Sequence, residues 1–292
     1  MRSLGPMVAA GLWLLPGWAL GQTPTRLDEN LVTPRTMALG GGGYAVAAST
    51  SGVYANPAAL SLARLYHMDS SVLFDPTVRR WSFGGAVADS TRVVSAGFGY
   101  TFSTIGEGDR SSHDLRLALS ALLTEGVSLG ATLRWMDHSG TATTNTQRGT
   151  AYSGFTLDAG LAVRVARFLS LGGVALNITD PSTSLAPLSF GGGVGLHLSD
   201  SFSLVGDAVW DLRSWDLIRP RFSGGVELLM NRVPLRLGYA YDDGRMSHAL
   251  SGGIGYLEQA YGVELSFRQA LDPAPQTTVL LSLRYFYRPN GV

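Results

Sequence analysis

From Tyr66 onward, apolar and small or polar residues change places at nearly every step. Val94, Ala96, Phe98, Tyr100 and Phe102 alternate with Ser95, Gly97 and Gly99. Leu115, Leu117, Leu119 and Ala121 alternate with Arg116, Ala118 and Ser120, and Val127, Leu129, Ala131, Leu133 and Trp135 with Ser128, Gly130, Thr132 and Arg134. Phe155, Leu157, Ala159, Leu161 and Val163 alternate with Thr156, Asp158, Gly160 and Arg164, and the same beat returns around Phe202, Val233 and Tyr261. A period of two is that of a strand with one apolar and one polar face. Fourteen such segments are predicted, starting near residues 65, 80, 92, 112, 126, 151, 168, 188, 201, 221, 233, 247, 260 and 276.

The connections add a second pattern. Short ones at 88–91, 124–126, 198–201 and 258–259 take turns with longer ones at 103–112, 138–150, 179–187, 213–220 and 271–277. Strands of about ten residues, an even strand number and this parity predict an all-β fold: a transmembrane antiparallel β-barrel with short turns on the periplasmic side. Tyr66, Trp81, Tyr100, Trp135, Trp210, Tyr239, Tyr241, Tyr256, Tyr285 and Tyr287 fall near strand ends on the apolar face, as aromatic girdles would. With lipid outside, the other face lines a lumen. Its charged candidates are Arg116, Arg134, Asp158, Arg164, Asp207, Asp211, Glu227, Arg236, Glu264, Arg268 and Arg284. Charges of both signs in a narrow interior must pair or hydrogen-bond, so they are read as a network. On this facing, Leu117→Arg or Leu133→Arg costs ~2–4 kcal/mol and Ser120→Arg is milder.

Composition narrows the classes. The 292 residues include 37 Gly, no Cys and only 15% charged residues, balanced to a net charge of zero. A balanced chain lacks the basic face of a nucleic-acid binder. Absence of cysteine removes disulfides, thiol catalysis and cysteine metal sites together. His67, His113, His138, His197 and His248 are scattered without metal-ligand spacing. No Ser/His arrangement singles out a nucleophile and its base, so neither enzymatic activity nor a cofactor is expected. Residues 1–21 read as a signal peptide: Arg2, an apolar stretch from Val8 to Leu20, and Ala19-Leu20-Gly21 as a small-x-small cleavage site.

Between that export signal and the first strand lies a different kind of sequence. Gly40, Gly41, Gly42 and Gly43 run consecutively, followed by Ala45, Ala47 and Ala48 and then Asn56-Pro57-Ala58-Ala59-Leu60. Serial glycines permit tight turns and close backbone approach, and Asn-Pro initiates a turn. Leu39-Gly40-Gly41, Tyr44-Ala45-Val46-Ala47 and the later Asn56-Pro57 resemble the N-terminal segment of the FadL-type outer-membrane transporter superfamily, including its PorV/PorQ-like branch. Further motifs carry the resemblance into the strands: Leu169-Ser170-Leu171-Gly172-Gly173 ending at Asn177, Gly225-Val226-Glu227 with Leu235-Arg236-Leu237-Gly238-Tyr239, and Ser251-Gly252-Gly253 with Tyr261-Gly262-Val263-Glu264. Ser49, Thr50 and Ser51 stand where that family often carries acids.

The resemblance implies three regions: the signal peptide, a plug or hatch at 22–62 inside the barrel, and the barrel at 63–292. Two functions remain open. One is passive passage of a hydrophobic small molecule across a bacterial outer membrane, with a hydrophobic ligand in the lumen. The other, following the PorV/PorQ-like branch, is a scaffold whose partner belongs to a protein-secretion machinery. On either reading outer-membrane lipid surrounds the wall and nucleic acid plays no part.

Overall fold

The computed structural model describes residues 33–106, 110–140, 151–182, 186–215, 217–273 and 275–287. The expected signal peptide and the first part of the expected plug, residues 22–32, lie outside the described residues. Fourteen strands follow a short N-terminal segment: β1 (Tyr66–Asp75), β2 (Arg80–Asp89), β3 (Val94–Ile105), β4 (Arg110–Thr124), β5 (Val127–Gly140), β6 (Tyr152–Ala166), β7 (Leu169–Leu176), β8 (Ser189–His197), β9 (Phe202–Asp211), β10 (Arg219–Met230), β11 (Val233–Asp242), β12 (Ser247–Leu257), β13 (Tyr261–Ala270) and β14 (Gln276–Tyr287). Each pairs with its sequence neighbours, and β14 returns to β1 to close the barrel. Closure is antiparallel, with Tyr66 opposite Tyr287 and Phe74 opposite Val279. A closed sheet leaves no edge with unpaired backbone groups.

All fourteen predicted starts lie within two residues of the observed ones. The strands run further than expected on one side. β3 continues to Ile105, β4 begins at Arg110 and β5 reaches Gly140, inside stretches read from sequence as connections. Polar residues at those ends hide the alternation, because a strand that projects past a hydrocarbon layer needs no apolar face.

Burial is inverted relative to a water-soluble sheet. Leu119 is 58% exposed while its neighbour Ser120 is 2% exposed, and Val94 at 61% precedes Ser95 at 0%. Phe98, Leu117, Leu133, Leu157, Leu265 and Leu283 also face outward, and Thr132, Thr156 and Glu264 are buried inside. A wall of this kind is matched to hydrocarbon on its outer side. Among the described residues no helix is long and apolar enough to cross a membrane.

The two ends of the barrel differ. One carries the short turns at 90–93, 125–126, 167–168, 198–201, 231–232 and 258–260, and both β1 and β14 terminate there. The other carries the connections at 76–79, 106–109, 141–151, 177–188, 212–218, 243–246 and 271–275. The predicted aromatics divide between them. Trp81, Tyr100, Trp135, Trp210, Tyr239 and Tyr241 lie toward the long-connection end, and Tyr66, Tyr256, Tyr285 and Tyr287 toward the short-turn end. At the former, the hydroxyl of Tyr100 meets His113 Nδ1 at 2.8 Å and that of Tyr239 meets His248 Nδ1 at 2.5 Å. Their partly exposed rings give each girdle position a polar tip, as an interface between oil and water favours.

Candidate functional site: the barrel interior

The N-terminal segment is built from single turns. Thr33 caps helix α1 (Pro34–Ala38), with Pro34 at the first position, where its missing N–H costs nothing. Gly40, Gly41 and Gly43 then take positive φ of 85°, 87° and 109°, a conformation side chains oppose. Helix α2 (Thr50–Tyr54) follows, and a 3₁₀ turn (Pro57–Leu62) leads into β1. Asn56 caps that turn, its Oδ1 accepting from Ala58 N–H at 3.1 Å. Its Nδ2 donates to the carbonyls of Tyr44 at 2.8 Å and Leu161 at 3.1 Å. One side chain thus ties two parts of the segment to β6.

The segment lies against the inner face of the wall, and glycines of the strands make the room. A methyl group on Gly130 would strike the Pro57–Ala58 backbone, one on Gly172 the Tyr44 carbonyl, and one on Gly238 the Leu39–Gly40 backbone. Gly97 and Gly99 admit Val53 and the Tyr54 ring. Small apolar clusters fill the remaining contact, among them Val53, Leu60, Ala88 and Ala118, and Met37 with Leu73 and Leu280. Most of these partners sit in the short-turn halves of their strands, while Leu73 and Leu280 lie toward the other end of β1 and β14, so the segment fills the short-turn half and reaches past the middle beside those two strands.

Among its polar attachments, two use charged side chains. Asp207 on β9 accepts from the N–H groups of Gly43 at 2.7 Å and Tyr44 at 2.9 Å. Gly42 is required beside it, since a Cβ there would collide with Asp207 and Ser223. Arg35 forks onto Glu227, with Nη2 to Oε1 at 2.8 Å and Nε to Oε2 at 3.0 Å, and its Nη1 donates to Val46 O at 2.8 Å. Glu227 also accepts from Arg236 Nε. Arg236 bridges to Glu264, and Glu264 pairs with Arg284 at 2.8 Å. The result is an unbroken ladder, Arg35–Glu227–Arg236–Glu264–Arg284, across four strands. Alternating signs give each charge an opposite neighbour, although Nε and Nη2 of Arg284 are buried without hydrogen-bond partners.

Toward the long-connection end the interior is bridged by side chains alone. Asp114 sits between Arg116 at 3.1 Å and Arg134, whose Nε approaches at 2.9 Å. Arg134 extends to Asn177 Oδ1 at 3.4 Å, and Asp158 accepts from Asn177 N–H at 2.7 Å. Arg116 joins the two halves, donating to Tyr54 O at 3.1 Å with its guanidinium 5.2 Å from the Tyr54 ring centre. Tyr54 Oη donates to Gly85 O at 3.0 Å, and burial pushes this phenol above its usual range, with Asp69 adding to the effect. Asp75, Arg80, Gln276 and Thr278 form a further cluster near the same end.

Most predicted interior residues therefore meet in one of these groups: Arg116, Arg134 and Asp158 in one, Glu227, Arg236, Glu264 and Arg284 in another, and Asp207 at the glycines. Gly40–Gly43, Asn56 and Pro57 all lie on the inner wall. Asp211 instead serves its turn, accepting from the N–H groups of Arg213 and Ser214 at 2.9 Å each. Arg268 faces inward on β13 and is half-buried near its long-connection end. Arg164, expected inside, is exposed beside a register shift at the short-turn rim. Gly252 is on the outward face of β12, opposite outward Leu237 and Phe267. Ser120→Arg would also strike the segment, because Ser120 Oγ donates to Ala58 O at 3.0 Å and lies 2.9 Å from Ser61 Oγ. Arg35 and Asp114 were missed by sequence reasoning. Arg35 was legible as the single charge between Asn30 and Arg64; Asp114 shares the parity of Arg116. Among the described residues no group of His, Asp and Glu is placed to hold a metal ion.

The fold is a closed fourteen-stranded antiparallel barrel similar in shape to solved FadL-type barrels. It superposes on the CymD monoaromatic hydrocarbon channel with a TM-score of 0.66 at 13% identity, covering 88% of this chain and 97% of that one. The Pseudomonas putida toluene transporter TodX gives 0.62 at 12% identity (87% and 97% covered), and a Pseudomonas aeruginosa FadL homologue gives 0.61 at 12% (88% and 98%). At these identities the likeness is one of fold. No protein-family model and no curated protein matches the chain by sequence. The likeness to the PorV/PorQ-like branch rests on the sequence motifs alone.

Proposed function

We propose that this protein is an outer-membrane channel for passive entry of hydrophobic small molecules, with the N-terminal segment as its plug. One observation carries the reading: an apolar-walled, closed barrel whose short-turn half is filled by its own N-terminal segment rather than by water. An open pore for ions has no use for such a filling. A channel for scarce apolar solutes does, because it must pass them without leaking polar ones. The segment is attached by polar contacts along its length, including Asp207 to two backbone N–H groups, Arg35 to Glu227, Asn56 to Leu161 O, Ser251 to Ala38 O and Ser266 to Pro34 O. Wall glycines give it close contact between these points. The structural neighbours named for monoaromatic hydrocarbons and toluene support this solute class. No structural feature favours the secretion scaffold.

Uptake of labelled toluene and of a long-chain fatty acid by cells lacking their own channels tests this, with and without the protein. Faster entry of at least one is expected, with entry of a small sugar unchanged. Equal entry of the apolar solutes would remove the transport reading.

A further inference from the structure

The outer wall between β9 and β14 is not evenly covered. A depression of about 640 Å³ is sunk into it, lined by Val226, Leu237, Gly252, Ile254, Leu265 and Phe267 among others. Its size falls within the ~300–1,000 Å³ of small-molecule sites. The cause is local. Gly252 faces outward and has no side chain of its own, so the wall is thin at this point of β12. Of its register partners, Phe267 leans its ring over the glycine and Leu237 stands up on the other flank. An empty hollow in hydrocarbon forfeits dispersion contacts on every lining atom, so an apolar chain fills it.

A polar feature stands at the short-turn end of the same outward face. One outward position beyond Leu228, Leu235 and Ile254 come Met230, Val233 and Tyr256, and then the turn that holds Arg232. Arg232 Nη1 donates to Glu258 Oε2 at 2.5 Å and to Tyr256 Oη at 3.4 Å, and Tyr256 Oη donates to Glu258 at 2.9 Å. The Arg232 side chain remains 54% exposed. A guanidinium has five N–H donors, so donors remain for a phosphate, while the neighbouring carboxylate accepts from an ammonium group. One positive and one negative group side by side are complementary to a zwitterionic headgroup rather than to an anionic one.

We propose that this groove seats one acyl chain of a phosphatidylethanolamine-type phospholipid, its phosphate on Arg232 and its ammonium on Glu258. The proposal rests on the membrane-spanning reading of the wall. The full-length protein, in micelles doped with equal amounts of phosphatidylethanolamine and phosphatidylglycerol of identical chains, is analysed by native mass spectrometry. The wild type is expected to retain one phosphatidylethanolamine at collision energies that strip phosphatidylglycerol. Gly252→Leu and Leu237→Trp, which fill the groove, should lose that lipid. Arg232→Gln and Glu258→Gln should keep a lipid but lose the preference between headgroups, and these two surface changes decide the matter even where a groove variant fails to fold. Equal retention in wild type and filled variants, or an unchanged preference in both turn variants, overturns the seat. Insertion into liposomes is measured in parallel. A protein that inserts but shows no groove-dependent lipid overturns the seat alone, and one that does not insert overturns the membrane reading with it.

Discussion

The two halves of the barrel interior are furnished in opposite ways. Along β5 the inward residues run Ser128, Gly130 and Thr132 from the short-turn end, then Arg134, Met136 and His138. Along β4 they run Ser120 and Ala118, then Arg116 and Asp114; along β2, Ala88, Ala86 and Gly84, then Ser82 and Arg80. Where inward side chains are small, the N-terminal segment fills the space. Where they are long and charged, they cross the space and pair with one another. The size gradient on the inner face therefore marks where the chain re-enters its own barrel. β10 to β14 break the rule in an informative way, since Glu227, Arg236, Glu264 and Arg284 are large and charged in the short-turn half. That is where the segment brings its own charge, Arg35, to complete the ladder.

The largest effect that separates wall from interior comes from placing a charge on the lipid side. Leu133→Arg should cost ~2–4 kcal/mol of stability in vesicles, read by denaturant unfolding. Ser120→Arg should leave wall assembly intact and instead displace the segment from Ala58 and Ser61. Equal loss of barrel stability in both would mean that the faces are not divided as described.

Next come the glycines that the segment needs. Gly130→Val puts a branched side chain into the Pro57–Ala58 backbone, and should raise ion conductance with the folded barrel retained by heat-modifiable gel mobility. An unchanged, closed conductance would show that this contact is dispensable.

A smaller effect is expected at the polar attachment. Asp207→Ala removes two charge-assisted hydrogen bonds to backbone N–H groups and should loosen docking by about 1–3 kcal/mol. The readout is faster hydrogen exchange at Gly43 and Tyr44. Asp207→Asn, which keeps one acceptor oxygen, should fall between. The smallest effect sharpens the contrast from the other half: Arg134→Ala, above the segment, should leave exchange at Gly43 and Tyr44 unchanged. Faster exchange there would show that the halves are coupled more tightly than their contacts indicate.

The wall was largely legible in the sequence. Strand starts, the parity of the connections and both aromatic girdles follow from a period of two and from the depth of a bilayer, which constrain every outward residue in the same way. Interior parity follows from the same period, and Arg116, Arg134, Asp158, Glu227, Arg236, Glu264 and Arg284 lie on the inner face. Pairing was not. Whether Arg236 meets Glu227 or Glu264 depends on closure and register across several strands, and no local pattern carries that. Asp114 was hidden because it lies one residue before the apolar beat begins at Leu115. Arg35 belongs to a five-residue helix too short to show a period. Arg164 had the right parity but sits at the rim, where the strand shifts register and the enclosed interior has ended.

The central claim is that the N-terminal segment closes the short-turn half. Planar-bilayer conductance of the wild type and of a chain lacking residues 33–62, both verified as folded barrels, tests it most directly. The account predicts a nearly silent wild type and a deletion with large, steady ion conductance. The same low conductance in both would mean that the side chains of the long-connection half seal the barrel alone, and that the segment is not its plug.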